Sequence, residues 1–81
     1  MKIHTKIYFN YFGLDKSDFI ACEICGVKAV HIHHIDTKGI GGSKTKDYIE
    51  NLIAVCRGCH NKCHSSIDFN KKAKIIHSNN L

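Results

Sequence analysis

Four cysteines and a group of histidines carry most of the chemistry available to this 81-residue chain. Cys22 and Cys25 stand in "CEIC" and Cys56 and Cys59 in "CRGC", which together spell C-x2-C-x30-C-x2-C. A CxxC pair presents two sulfurs from one tight turn, and two such pairs supply the four thiolates of a tetrahedral structural zinc site. Sites of this kind bind with apparent free energies of about 10–16 kcal/mol. A single small core rarely supplies more than about 3–5 kcal/mol, so folding is expected to depend on zinc. Cys63 is left over and reads as a buried or half-exposed free thiol, the alternative being a residue that swaps in as a zinc ligand.

The histidines ask for a different ion. "HIHHID" at 31–36 reads as the end of a strand. Side chains alternate along a strand, which sends His31 and His33 to one face and Ile32 and His34 to the other. His60 and His64, four positions apart, share one helix face and form a two-imidazole chelate. The H-E-x-x-H pattern of zinc proteases has the same spacing, but its glutamate is missing here. His33 is the candidate third ligand. Two or three neutral imidazoles with open coordination positions make a catalytic rather than a structural site. His34, on the opposite face, is then free to act as a general base. His31 reads as a surface or supporting residue, not a ligand.

Those residues need elements to hold them. Ile3, Ile7, Tyr8, Tyr11 and Phe12 recur at helical spacing, and Gly13 is placed to end that helix in a left-handed conformation. "KAVHIHHI" reads as a strand, and "NLIAV" at 51–55 as a second, short and apolar one. Between them, "DTKGIGGSKTKDYIE" (36–50) is rich in Gly, Ser, Thr and Lys and predicts loop, with a helical turn near Asp47–Glu50. From Cys56 onward the placing of His60 and His64 predicts a helix. Strand, loop, strand and helix in that order give an antiparallel hairpin with a helix packed across it, an α+β fold. The expected organisation is one domain over residues 1–81. It comprises an N-terminal helical segment (1–21), a motif-bearing core (22–66) and a basic C-terminal tail (67–81), whose "NKKAKIIHSNNL" reads as a helix extension or a frayed tail, the solvated end being the favoured reading.

Composition narrows the classes. A hydrophobic fraction of 43% is ordinary for a folded domain and argues against wholesale disorder. Five cysteines, an odd count, and the lack of an N-terminal apolar leader argue against a secreted disulfide framework. No stretch approaches the roughly 20 apolar residues that span a bilayer. A reducing, cytoplasmic setting without membrane association is expected. The net charge of +5 suits a polyanionic partner such as nucleic acid. Four thiolates around one Zn²⁺ would remove two positive charges, and a second divalent ion would restore them.

The string C-x2-C, "HIHHI", "ENLIAVCRGCH" and a further histidine at 64 resembles the HNH endonuclease family, whose domain has the ββα-metal fold. The pattern H-H-x16-N-x8-H-x3-H, from His33 through Asn51 to His64, carries the resemblance together with the CxxC pairs, over about residues 22–64. It implies a small zinc-stapled, phage-like member that hydrolyses DNA phosphodiester bonds, by nicking, with a divalent cation. In those terms His34 is similar to the general base that takes a proton from the attacking water. Asn51 is similar to the asparagine that fixes the loop and orients that histidine. His60 matches the last histidine of the family pattern, a cation ligand. His33 stands where many members have Asp and some have His, and His64 matches an additional ligand found in a subset. The implied cofactors are a structural Zn²⁺ and one catalytic ion, Mg²⁺, Mn²⁺, Zn²⁺ or Ni²⁺.

DNA is the expected partner. Lys38, Lys44, Lys46, Arg57 and Lys62 flank the proposed site, and contacts from them to phosphates would give salt-dependent, sequence-independent affinity. Sequence specificity is expected to be low, or borrowed from a larger phage or restriction partner. A non-catalytic zinc-ribbon adaptor that binds nucleic acid or protein would explain the cysteines and the charge, but it leaves His34, Asn51, His60 and His64 without a task. A zinc hydrolase acting on another substrate would need a carboxylate that the His pair lacks.

Overall fold

The apolar run Leu52–Val55 is buried along its whole length, and the architecture follows from what covers its two faces. In the computed structural model residues 2–36 and 47–81 are described. Strand β1 (His31–His34) pairs antiparallel with β2 (Leu52–Val55), with His33 opposite Ile53 and His34 opposite Leu52. Alternation turns Leu52 and Ala54 to one face and Ile53 and Val55 to the other. The first pair packs with Tyr8 and the apolar side of helix α1 (Ile3–Phe12). Ile53 and Val55 pack with Cys22, Cys59, Cys63 and Ala73. Those residues bring in the first CxxC turn, helix α2 (Arg57–Ser65) and helix α3 (Ile67–Asn80). A two-stranded sheet thus lies between α1 and the α2–α3 pair.

The expected helix, hairpin and crossing helix are all present. Helix α1 closes on Gly13, whose φ of 67° is left-handed, while the next N–H, of Leu14, returns to the Phe9 carbonyl at 2.8 Å. A 3-10 turn at Ile49–Asn51 leads into β2, close to the helical turn the sequence predicts. Most of the Gly-rich stretch, with Lys38, Lys44 and Lys46, lies outside the described residues. Among the described residues no helix is long and apolar enough to cross a membrane.

The C-terminal segment is helical, one of the two readings of its sequence, and it corrects the favoured one of a solvated tail. Ser66 leaves helical geometry (φ −138°, ψ 117°), which closes α2, and its side chain accepts the Phe69 N–H at 3.1 Å to start α3. The 14-residue α3 then docks with Ala73 and His77 fully buried. Asn70, Ala73 and His77 follow one another at helical spacing, but two of these three are polar. An inventory of apolar periodicity passes over such a face.

His77 anchors that helix through an ion pair. Its Nδ1 lies 2.8 Å from Glu23 Oε1, and its Nε2 lies 2.6 Å from the Ile49 carbonyl oxygen. A carboxylate and a carbonyl both accept, so both ring nitrogens donate and the ring is an imidazolium. Glu23 also accepts from the Tyr8 hydroxyl and the Asn80 amide. Burial works to lower the His77 pKa, but Glu23 and the Ile49 carbonyl outweigh it and raise the value above 6.5. At Glu23 burial works to raise the pKa, and hydrogen bonds from His77, Asn80 and Tyr8 bring it below 4.5.

The two side chains are 0% and 7% exposed, and removing one partner of a buried pair costs about 3–5 kcal/mol. His77→Ala is expected to lower the urea-unfolding free energy of the zinc-loaded protein by about that much. Glu23 contributes above its unfolded value of 4.5 and loses its contribution as pH falls through its depressed folded pKa. His77 contributes below 6.5 and loses its contribution as pH rises through its raised folded pKa. The difference between wild type and variant should therefore be fullest between pH 4.5 and 6.5. A difference within the roughly 0.5 kcal/mol of an ordinary surface change would contradict the ion pair.

Candidate active site

The two CxxC turns meet across the end of the sheet. The sulfurs of Cys22, Cys25, Cys56 and Cys59 all lie within 4.8 Å of one another, and those of Cys25 and Cys56 are 3.6 Å apart. Sulfurs held at about 2.3 Å around one tetrahedral Zn²⁺ are separated by about 3.8 Å, so the cluster fits a structural zinc. Local backbone shapes both turns. Gly26, at a left-handed φ of 86°, donates its N–H to the Cys22 carbonyl at 2.9 Å. Cys56 is the N-cap of α2, and its Sγ accepts the Cys59 N–H at 3.4 Å. That N–H lowers the Cys56 pKa. At Cys22 burial is outweighed by backbone N–H groups, which bring the thiol down to about 7. Burial holds Cys59 up. Cys63 is buried outside this cluster, and burial raises its pKa too; it is a core thiol.

A second convergence involves only imidazoles. His33 from β1 meets His60 and His64 from α2, with one ligand nitrogen from each within 4.8 Å of the others. The Nε2 atoms of His60 and His64 approach to 3.0 Å. Two nitrogens on one tetrahedral ion at 2.0–2.1 Å stand about 3.3 Å apart, so the chelate spacing fits a cation. His33 is buried, His60 half-buried and His64 exposed, which leaves the group open on one side. Burial, then the neighbouring His33, His31 and His64, push His60 down to about 4. Burial is also the largest influence on His33 and lowers it. Both rings therefore offer lone pairs at neutral pH. His31 is exposed with its ring 4.4 Å from that of His60, and it stays outside the converging three.

His34 faces the other way, toward α1. Its Nε2 lies 2.6 Å from Asp47 Oδ1, and the His4 ring lies 4.6 Å from its own. Asp47 accepts, so Nε2 carries a proton, and in the neutral ring the lone pair is on Nδ1. His34 and Asp47 are each 29% exposed, enough for water to reach them. Just beyond β1, Asn51 grips the chain from both sides. Its Oδ1 accepts the Asp36 N–H at 2.8 Å, and its Nδ2 donates to the Asp36 carbonyl at 3.1 Å. Ile35 donates its own N–H to the Asn51 carbonyl at 2.9 Å. The end of β1 is thereby pinned to the start of β2.

Of the cationic candidates that are described, Arg57 opens α2 and Lys62 lies along it, both exposed, with Lys62 Nζ 5.7 Å above the Phe69 ring. Lys44 and Lys46 lie outside the described residues. Sequence reasoning missed three neighbours of the histidines: His4, Asp47 and Asn70. Asp47 is an acidic residue shortly before β2, a position any loop can fill with a solvated charge. Asn70 Oδ1 lies 3.0 Å from His33 Nε2, and no local pattern marks it.

Compared with known families, residues 22–66, more than half of the chain, match the family described as HNH endonuclease. No curated protein and no solved structure matches the chain.

Proposed function

The chain belongs to the HNH endonuclease family, and from that premise we propose that it is a divalent-cation-dependent nuclease that nicks DNA, with His34 as general base. The observation that carries this reading is the division of labour along β1. Adjacent residues send one imidazole into a group of three that fits a cation and the other onto a carboxylate.

Phosphodiester hydrolysis needs an in-line water, charge neutralisation at phosphorus and help for the departing 3′ oxygen. A divalent cation at His33, His60 and His64 would supply positive charge to the non-bridging and leaving oxygens. His34 Nδ1 accepts a proton from water as the water oxygen bonds to phosphorus. The bond from phosphorus to the 3′ oxygen breaks, and that oxygen is reprotonated from solvent. Asp47, accepting from Nε2–H, fixes the tautomer and steadies the imidazolium that forms. Asn51 positions His34 by holding the backbone two residues further on. Exposed Arg57 and Lys62 meet phosphates without reading sequence.

Incubation of zinc-loaded protein with supercoiled plasmid tests the reading. Open circles should accumulate only when Mg²⁺, Mn²⁺, Ni²⁺ or further Zn²⁺ is added. Plasmid that stays supercoiled with every one of these ions would leave the chain a binding module rather than an enzyme.

A further inference from the structure

We propose that Asn70 is a positioning residue that fixes His33 in the tautomer whose Nδ1 is free to bind a cation, an inference that rests on the cation site just described. The assignment follows from which atoms can donate. The Ile35 carbonyl can only accept, and it lies 2.6 Å from Asn70 Nδ2. The NH₂ end of the amide is therefore committed to Ile35, and the Oδ1 end faces His33 Nε2 at 3.0 Å. An amide oxygen accepts, so Nε2 must carry the ring proton. A neutral imidazole holds a single N–H, which leaves the lone pair on Nδ1. His60 and His64 approach each other through Nε2, so the site draws on different nitrogens from its strand and its helix.

Asn70 is itself well held. It sits on α3, which His77 ties to Glu23 and to the Ile49 carbonyl. The amide contacts both the ligand residue and the carbonyl two positions later, so it spans the end of β1. Ligating histidines commonly pass their second N–H to such a partner, and losing it weakens metal affinity about 10–100-fold. Helix α3 lies beyond the matched residues 22–66, so control of this ligand comes from an element outside the family segment.

Two measurements on the full zinc-loaded chain test the proposal, and neither uses DNA. Long-range ¹⁵N–¹H NMR of the wild-type His33 ring should show a protonated Nε2 and an unprotonated Nδ1; a protonated Nδ1 overturns the proposal. A cobalt titration followed by visible absorption then compares wild type with Asn70→Leu. Asn70→Leu should weaken cobalt binding at the histidines about 10–100-fold with the zinc content unchanged, and its His33 ring should lose the preference for the Nε2-protonated tautomer. Equal affinity in wild type and Asn70→Leu, an unchanged His33 tautomer in Asn70→Leu, or cobalt that leaves the three histidine rings unperturbed would each overturn it. If Asn70→Leu fails to fold, the wild-type tautomer still decides. A plasmid that is never nicked would sink the nuclease reading while leaving these results standing.

Discussion

His34→Ala should slow plasmid nicking by about 10²–10⁴-fold, the usual contribution of a positioned general base, without removing either metal. The ring touches Asp47 and His4, and it lies on the α1 side of the sheet, whereas the converging imidazoles lie on the α2 side. Its loss therefore leaves the four cysteines and His33, His60 and His64 in place, and removes a donor only from the third group of potential ligands, His4, His34 and Asp47. Metal content by elemental analysis, and cobalt affinity at His33, His60 and His64, should match wild type. Asp47→Asn should also slow nicking strongly, because an amide that turns its NH₂ toward Nε2 favours the tautomer with the proton on Nδ1, where the base's lone pair is needed. A His34→Ala protein that nicks at the wild-type rate would remove the general base from the account. Lost nicking accompanied by lost cobalt binding would move His34 into the ligand set instead.

The second large effect is on folding. Cys22 and Cys59 are buried among Ile53, Val55, Cys63 and Ala73, so the zinc cluster and the core share residues. Domains of this size are stable by about 0.05–0.15 kcal/mol per residue, while such a zinc site contributes about 10–16 kcal/mol. Removal of the ion by a strong chelator, or Cys22→Ser, should thus abolish cooperative folding altogether. Far-UV circular dichroism should show loss of α2 and α3 together with the sheet, recovered for the chelated wild type when zinc is returned. Chelated protein that is free of zinc and still melts cooperatively would show that the apolar contacts suffice. Weak chelation that empties only the histidine site should leave the fold intact.

Much of this was legible because short-range spacing fixes geometry directly. A CxxC turn brings two sulfurs together whatever surrounds it, and residues 60 and 64 share a helix face by virtue of the 3.6-residue turn. Strand alternation alone separates His33 from His34, and the structure keeps them on opposite faces. The α1 boundary was readable from its apolar stripe and Gly13. What escaped the sequence depends on long-range pairing. Helix α3 buries His77 and half-buries Asn70, and these polar groups find their partners, Glu23, Ile49, His33 and Ile35, only across the fold. Its lysines dominate a reading by composition and suggest a solvated end. Asp47 likewise acquires its role only when the hairpin brings it beside His34, 13 residues away in sequence.

The central claim is that three imidazoles gathered from β1 and α2 hold the ion on which cleavage depends. The most direct measurement is a divalent-cation titration of plasmid nicking by wild type and His60→Ala in parallel, each with its cysteine-bound zinc intact. Wild-type nicking should rise from nothing to saturation as the ion is added, and His60→Ala should stay near the baseline at the same concentrations. Nicking by wild type without any added ion after weak chelation, or a His60→Ala curve that overlays the wild type, would contradict it.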